Sequence, residues 1–214
     1  MLMDKDQLRL YAVTDAGCIG ERGFLETIEA ALAGGVTMLQ LREKNMDGIA
    51  LLERAQDVRE VCDRYGVPLI VDDDWRTAFA AGAAGVHLGA EDAPPEVVRQ
   101  ATNEHFVIGV TAKTVAQAKR AEAAGADYLG VGAVFPSPTK PDAIRITPDL
   151  LREIAASVSI PVVAIGGITA DNIHTLNGCG AAGAAVVSAV FGQKDVTAAA
   201  RQLRALAEEM AKSH

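Results

Sequence analysis

Short apolar runs alternate with longer stretches of helical periodicity along nearly the whole chain. The first run, residues 9–15, ends in polar residues and is followed by a helical pattern over about 23–33, which Gly34 and Gly35 stop. A strand over 37–43 leads into a helix that continues to about Tyr65, and Gly66 and Pro68 punctuate before a strand over 69–73. The pattern goes on to predict a helix near 76–81, a strand over 86–89, a helix over 95–101, a strand over 106–111 and a helix over 115–124. A glycine-spaced apolar strand begins at Tyr128. After it come a helix over 148–157, a strand over 161–166, a helix over 171–176, a strand over 184–189 and a last helix over 196–211.

These are eight strand and helix units, recurring at roughly 24 residues, with similar entries into alternate strands: Ala33-Gly34-Gly35-Val36, Ala81-Gly82-Ala83-Ala84-Gly85-Val86, Ala124-Gly125-Ala126-Asp127 and Gly180-Ala181-Ala182-Gly183. Strands this short and apolar, each followed by a helix, require a parallel sheet covered by helices. Eight units close into an α/β fold of the single-domain (β/α)8 TIM barrel type, with residues 1–214 as one domain. The competing architecture is a doubly wound open sheet, and no Gly-x-Gly-x-x-Gly turn follows the first strand to favour it.

Composition narrows the function classes. The chain has 214 residues, 50% hydrophobic and 22% charged, enough for a full core. A net charge of -8 argues against a broad nucleic-acid or anionic-membrane surface, so any basic site is local. Cys18, Cys62 and Cys179 are far apart, odd in number and match no metal spacing, which reads as buried thiols in a reducing compartment. The N-terminus is charged at once and no apolar run reaches transmembrane length, so a cytoplasmic protein is expected.

Candidate chemistry gathers where strands end, because a barrel carries its site at the carboxyl ends of its strands. In the second strand Gln40, Arg42 and Lys44 alternate with apolar or acidic neighbours, so period-two geometry puts the three on one side. A guanidinium and an ammonium held close together suit phosphate oxygens; the alternative is a solvated strand end. The third strand ends in Asp72-Asp73-Asp74-Trp75, and Glu91 and Asp92 follow the fourth. One carboxylate from each of two neighbouring strand ends could hold a hard cation, with magnesium the natural candidate, although acidic residues there also cap helices. Thr111 adds a hydroxyl to the fifth strand end. In 128–140 the apolar strand becomes a loop bearing Ser137, Thr139 and Lys140, restricted by Pro136, Pro138 and Pro141; such a loop suits a polyanion or is a simple prolyl turn. Gly166-Gly167-Ile168-Thr169 and Val187-Ser188 end the seventh and eighth strands, where barrels often hold a phosphate on backbone N–H groups. His87 lies inside a strand and reads as an ordered interior histidine, with His105, His174 and His214 peripheral.

Leu-Tyr-Ala-Val-Thr-Asp (10–15), Gln-Leu-Arg-Glu-Lys (40–44), Asp-Asp-Asp-Trp-Arg (72–76), Gly-Val-His-Leu-Gly-Ala-Glu-Asp (85–92), Phe-Pro-Ser-Pro-Thr-Lys (135–140) and Ala-Ile-Gly-Gly-Ile (164–168) together resemble thiamine phosphate synthases over nearly the whole chain. The resemblance implies a barrel enzyme, a transferase, that joins hydroxymethylpyrimidine diphosphate to hydroxyethylthiazole phosphate. It implies that Gln40, Leu41, Arg42, Glu43, Lys44, Asp72, Thr111 and Lys140 hold the pyrimidine diphosphate, with Arg42, Lys44, Thr111 and Lys140 carrying the catalysis. It further implies Asp73 and Asp92 as ligands of Mg2+, and Ser137, Pro138, Thr139, Gly167, Val187 and Ser188 around the thiazole phosphate. The partners are then small phosphorylated molecules, without nucleic acid or membrane, and a homo-oligomer is left open. Three positions depart from the family: it usually has Asn at Asp72, Gln at Ala90 and Ser at Thr111. Two other readings stand beside this one. A thiazole tautomerase would use a histidine near the fifth strand, where this chain has Thr111-Ala112-Lys113, and a non-catalytic phosphate-ligand barrel would explain Asp72 and Ala90.

Overall fold

The computed structural model describes residues 3–46, 48–137 and 143–212. Its strands are β1 (Leu10–Val13), β2 (Met38–Leu41), β3 (Leu69–Asp72), β4 (Gly85–Leu88), β5 (Val107–Ala112), β6 (Tyr128–Gly132), β7 (Val162–Ile165) and β8 (Gly183–Val186). They pair in chain order, all parallel, and β8 closes on β1 with Tyr11 beside Ala185. The helices are α1 (Ala16–Ile19), α2 (Phe24–Ala33), α3 (Gly48–Tyr65), α4 (Trp75–Ala80), α5 (Pro95–Ala101), α6 (Val115–Ala123), α7 (Pro148–Ala156), α8 (Ser188–Phe191) and α9 (Val196–Lys212). The (β/α)8 barrel read from the sequence is therefore the fold. No helix among the described residues is long and apolar enough to cross a membrane.

Two separate cores follow from the period-two alternation of each strand. Outward-facing Leu39, Leu41, Val71, Ile108 and Ala164 join the helices in one large cluster, whereas Tyr11, Met38, Ile70, Tyr128, Val163 and Ala185 fill the inside of the ring. The interior is crowded enough to dictate glycines. A Cβ on Gly109 would lie 2.1 Å from the Tyr128 ring, and one on Gly130 would lie 3.0 Å from the His87 ring.

Several boundaries differ from the pattern-based reading, each for a local reason. β2 stops at Leu41, so Arg42 and Lys44 stand beyond the sheet edge. β8 stops at Val186 because Val187, at φ -116° and ψ -88°, turns the chain into α8. The helix expected over 171–176 is only a 3-10 turn at Ile173–Leu176. There Asn172 accepts from the Thr169 N–H and donates to the Gly167 carbonyl, holding the preceding loop in a side-chain-mediated turn. Neither α1 nor α8 was expected; four-residue helices leave almost no periodic signal, and α1 is marked only by Asp15, whose carboxylate caps it at the Cys18 N–H.

Gly109→Ala should destabilise the protein by about 1–3 kcal/mol, the usual effect of overpacking a filled core. Chemical denaturation measures it, and an unchanged midpoint would mean that the Tyr128 ring has room to move.

Candidate active site

The carboxyl ends of the strands surround a cavity of about 220 Å³. Its most charged wall comes from β1 to β4. The Arg42 N–H donates to the Thr14 hydroxyl (2.9 Å), which fixes the chain just past β2. From there the Arg42 guanidinium lies 3.6 Å from Asp15 and 3.5 Å from Asp72. Lys44 lies 3.1 Å from Asp72 and also pairs with Asp73.

The three consecutive aspartates divide three tasks. Asp72 ends β3 in register with His87, largely buried. Asp73 takes φ 63°, uncommon for a non-glycine residue, and turns its carboxylate to Lys44 and Asp92. Asp74 caps α4, accepting from the N–H groups of Arg76 and Thr77 and from the Thr77 hydroxyl. Asp92 accepts from the Gly89 N–H (2.6 Å), while α5 has Pro94 at its N-cap and no side-chain cap, so Asp92 is not that helix's cap.

These contacts set the charges. Burial pushes the Asp72 carboxyl up and the Asp73 charge adds to this, against the pull of Lys44 and Arg42. Burial also pushes Asp92 up and the adjacent Asp73 reinforces it, whereas Asp73 is held below the usual range because the Lys44 ammonium and Asp92 hydrogen bonds outweigh its own burial. Of the two, Asp73 gives up its proton first and Asp92 holds one longer. Lys44 is raised, its two aspartates overcoming desolvation.

Below this wall a line of hydrogen bonds crosses the barrel. The Gln40 amide donates to the Tyr11 hydroxyl (2.8 Å), which meets the Tyr128 hydroxyl (2.8 Å); Tyr128 meets His87 Nδ1 (3.0 Å), and His87 Nε2 meets Thr111 Oγ1 (3.0 Å). Burial pushes the His87 ring down to about 4, so it is neutral near pH 7. The interior-histidine reading of His87 therefore describes its place, and its ring also touches the cavity.

The opposite wall is built on glycine. Gly166 and Gly167 have φ of 102° and 64°, and a Cβ on Gly167 would lie 2.2 Å from the Pro136 carbonyl. This pair lets the segment after β6 pack against the end of β7, where the Phe135 N–H donates to the Gly166 carbonyl (3.0 Å). Ser137, Gly167, Val187 and Ser188 line this side of the cavity.

Of the residues read from the sequence, Gln40, Arg42, Lys44, Asp72, Asp73, Thr111, Ser137, Gly167, Val187 and Ser188 line one cavity, and Asp92 adjoins it through Asp73. Pro138, Thr139 and Lys140 lie outside the described residues. The side chains of Leu41 and Glu43 do not face the cavity. Leu41 packs in the outer core, and Glu43 turns to the Thr14 hydroxyl at 3.5 Å, so the strict alternation that brings in Gln40, Arg42 and Lys44 sends these two away. Asp15 and Lys113 were not singled out, yet both line the cavity. The signal for Lys113 is its position two residues beyond Thr111, and for Asp15 its place past the end of the first strand, equivalent to the acidic end of the third.

Two carboxylates that share a hydrogen bond between adjacent strand ends are hard oxygen donors suited to one divalent cation that takes its other ligands from water and substrate. Among the described residues no group of three or more His, Cys, Asp or Glu gathers as a metal cage.

A parallel eight-stranded barrel with a charged, anion-suited mouth at its carboxyl end defines the class as a barrel enzyme. The chain belongs to the thiamine monophosphate synthase family, whose pattern it matches over residues 10–190. It is 49% identical over 199 residues to the thiamine-phosphate synthase of Chloroflexus aurantiacus, covering 92% of each chain. It is 47% identical over 201 residues to that of Methanocella arvoryzae, covering 94% of this chain and 95% of the relative. The solved thiamine phosphate pyrophosphorylase of Pyrococcus furiosus superposes with a TM-score of 0.89 at 40% identity, covering 96% of this chain and 98% of that one. These relatives are transferases, as expected from the motifs.

With Mg2+ present, the charged wall should bind inorganic diphosphate. Isothermal titration calorimetry measures that binding. Arg42→Ala should weaken diphosphate roughly tenfold or more, in line with losing charge-assisted hydrogen bonds. Equal affinity in a titration would remove Arg42 from the anion site.

Proposed function

We propose that this mouth joins hydroxymethylpyrimidine diphosphate to hydroxyethylthiazole phosphate, forming thiamine phosphate and releasing diphosphate. The observation that carries this reading is one cavity with two unlike walls: Arg42 and Lys44 beside paired carboxylates on one, and Gly167 with Ser188 on the other. Two phosphorylated reactants fit such a division better than one.

The chemistry needs no protein nucleophile. The bond from the pyrimidine methylene to the diphosphate oxygen breaks, its electron pair leaves with diphosphate, and the thiazole nitrogen supplies the pair that closes the new bond. Arg42, Lys44 and Thr111 orient the leaving group and donate to its oxygens as negative charge develops; Lys140 is assigned the same role. Gln40 holds the pyrimidine ring. Ser137, Pro138, Thr139, Gly167, Val187 and Ser188 hold the thiazole phosphate. Asp73 and Asp92 would hold Mg2+, which when bound supplies charge neutralisation for the leaving diphosphate.

Charge balance supports that need. Among the described residues lining the cavity, Arg42, Lys44 and Lys113 face Asp15, Asp72 and Asp73, so the mouth alone offers a diphosphate no net excess of positive charge. The substrates are small molecules, and an acidic chain with free thiols suits the cytoplasm.

Mass spectrometry of a mixture of protein, both substrates and Mg2+ should detect thiamine phosphate; its absence at every Mg2+ concentration would leave a ligand-binding barrel. Chelation should stop turnover and added Mg2+ restore it, and Asp92→Ala should lower kcat/KM by roughly a hundredfold.

Asp72→Asn should leave the pyrimidine diphosphate equally or more tightly bound and lower the Mg2+ needed for half-maximal activity. It removes a like charge from beside the diphosphate and frees Arg42 and Lys44 for it. A large loss of affinity would make Asp72 a required partner of the substrate.

A further inference from the structure

We propose that Tyr11, Tyr128 and His87 are positioning residues that fix the direction of the hydrogen bonds offered to substrate, so that Gln40 presents its carbonyl oxygen and Thr111 presents its hydroxyl proton. The proposal rests on the synthase reading above and adds to it residues that contact Gln40 and Thr111 from within the barrel.

Proton accounting carries the argument. Each tyrosine hydroxyl has one proton, and a neutral imidazole has one N–H and one bare nitrogen. With the Gln40 amide nitrogen donating to Tyr11, the Tyr11 proton has the Tyr128 oxygen as its partner at 2.8 Å. The Tyr128 proton is then directed to His87 Nδ1 at 3.0 Å. That leaves the imidazole proton on Nε2, donating to Thr111 Oγ1 at 3.0 Å. Thr111 accepts there, and its own proton is free for the cavity it lines. At the other end the Gln40 amide, with its nitrogen committed to Tyr11, turns its carbonyl oxygen away from the tyrosine and toward the cavity.

The reverse order is also self-consistent, with the Gln40 carbonyl on Tyr11 and every donor exchanged. It would turn Thr111 lone pairs toward an anionic leaving group, which is repulsive, and a Gln40 N–H toward the exocyclic amine of the pyrimidine. Only the forward order complements a reactant with an amine at one end and a diphosphate at the other. The chain has little freedom to rearrange. Tyr11 and Tyr128 are 1% and 0% exposed; Gly109 leaves no space for a Cβ beside the Tyr128 ring, and Gly130 leaves only a tight one beside the His87 ring. An unpaired buried hydroxyl is costly, so one end of the chain reports on the other.

The test uses the full chain labelled with 15N in its histidine rings, with the His87 signal identified by its loss in His87→Gln. Ligand-free protein should show His87 as the Nε2–H tautomer; the Nδ1–H tautomer would overturn the assigned direction. Tyr128→Phe removes the donor to Nδ1 and puts no acceptor in its place, so His87 should keep the Nε2–H form while its Nδ1 signal moves to that of a bare nitrogen without a hydrogen bond. It should also lower kcat/KM for the pyrimidine diphosphate about tenfold while the KM for the thiazole phosphate stays within twofold. Tyr11→Phe cuts the chain on the Gln40 side. It should raise the KM for the pyrimidine diphosphate without moving the His87 tautomer, and serves if Tyr128→Phe fails to fold by circular dichroism. Unchanged kinetics in both variants, or equal losses toward both substrates, would reduce the chain to a structural role. If the natural protein makes no thiamine phosphate at all, the synthase reading fails, while the tautomer still decides the direction of the chain.

Discussion

The need to bury two tyrosine hydroxyls inside a closed ring of strands governs the rest of the molecule. Tyr11 and Tyr128 meet edge to face, with centroids 5.9 Å apart, and fill space that most barrels give to branched aliphatic side chains. A buried hydroxyl without a partner costs about 1–3 kcal/mol, so the pair draws in Gln40 on one side and His87 on the other. Room for the Tyr128 ring then comes from bare backbone at Gly109 on the neighbouring β5, and room for the His87 ring from Gly130, two positions after Tyr128 on its own strand. The core of the barrel and the floor of the cavity are consequently one structure, and a change in packing at Gly109 is also a change beneath the site.

Above that floor the constraint is electrostatic. Arg42 and Lys44 are brought together by the chain just past β2, and without ligand their repulsion is offset by Asp15, Asp72 and Asp73. These pairs are partly buried, where charges are screened less than at a surface but are also costly to desolvate. An arriving polyanion therefore exchanges one set of partners for another rather than filling an unpaired cationic pocket, which limits the gain from Coulomb attraction and leaves discrimination to geometry. Asp73 and Asp92 express the same economy: two carboxylates held close enough to share a proton are stable together only while a proton, an ammonium or a cation lies between them.

The architecture was legible in the sequence because each strand is short, apolar and followed by a helix, and the helix at Pro95–Ala101 was placed to the residue because proline opens it. The charged wall was legible for a related reason: alternation along 40–44 carries past the last ladder residue, so Gln40, Arg42 and Lys44 converge although only Gln40 belongs to β2. What could not be read was what depends on contacts between distant strands. Nothing local to Tyr11 announces Tyr128, 117 positions away, so the hydrogen-bonded line beneath the site had no signal in the sequence. The turn after β7 escaped for the opposite reason. Asn172 satisfies the backbone of Gly167 and Thr169 with its own side chain, and so ends the helical pattern that the spacing suggests.

The two walls differ in what they require of the chain, and this difference explains their composition. On the proposed reading one wall stabilises charge developing on a leaving group and needs donors fixed before the event, which long side chains provide only when anchored; the Thr14 hydroxyl anchors the Arg42 N–H, and the aspartates anchor Lys44. On the same reading the other wall holds an already formed phosphate and a ring, and close approach to these is what glycine at positive φ gives the backbone without side-chain entropy. Asp72 stands where these demands meet the barrel core. It is in register with His87, its charge adds to the burial that makes both tyrosine hydroxyls harder to ionise, and it is paired to the cations above. A carboxylate there couples the floor to the charged wall more strongly than a neutral amide would, because its field acts on the hydrogen-bonded chain and on Arg42 and Lys44 together.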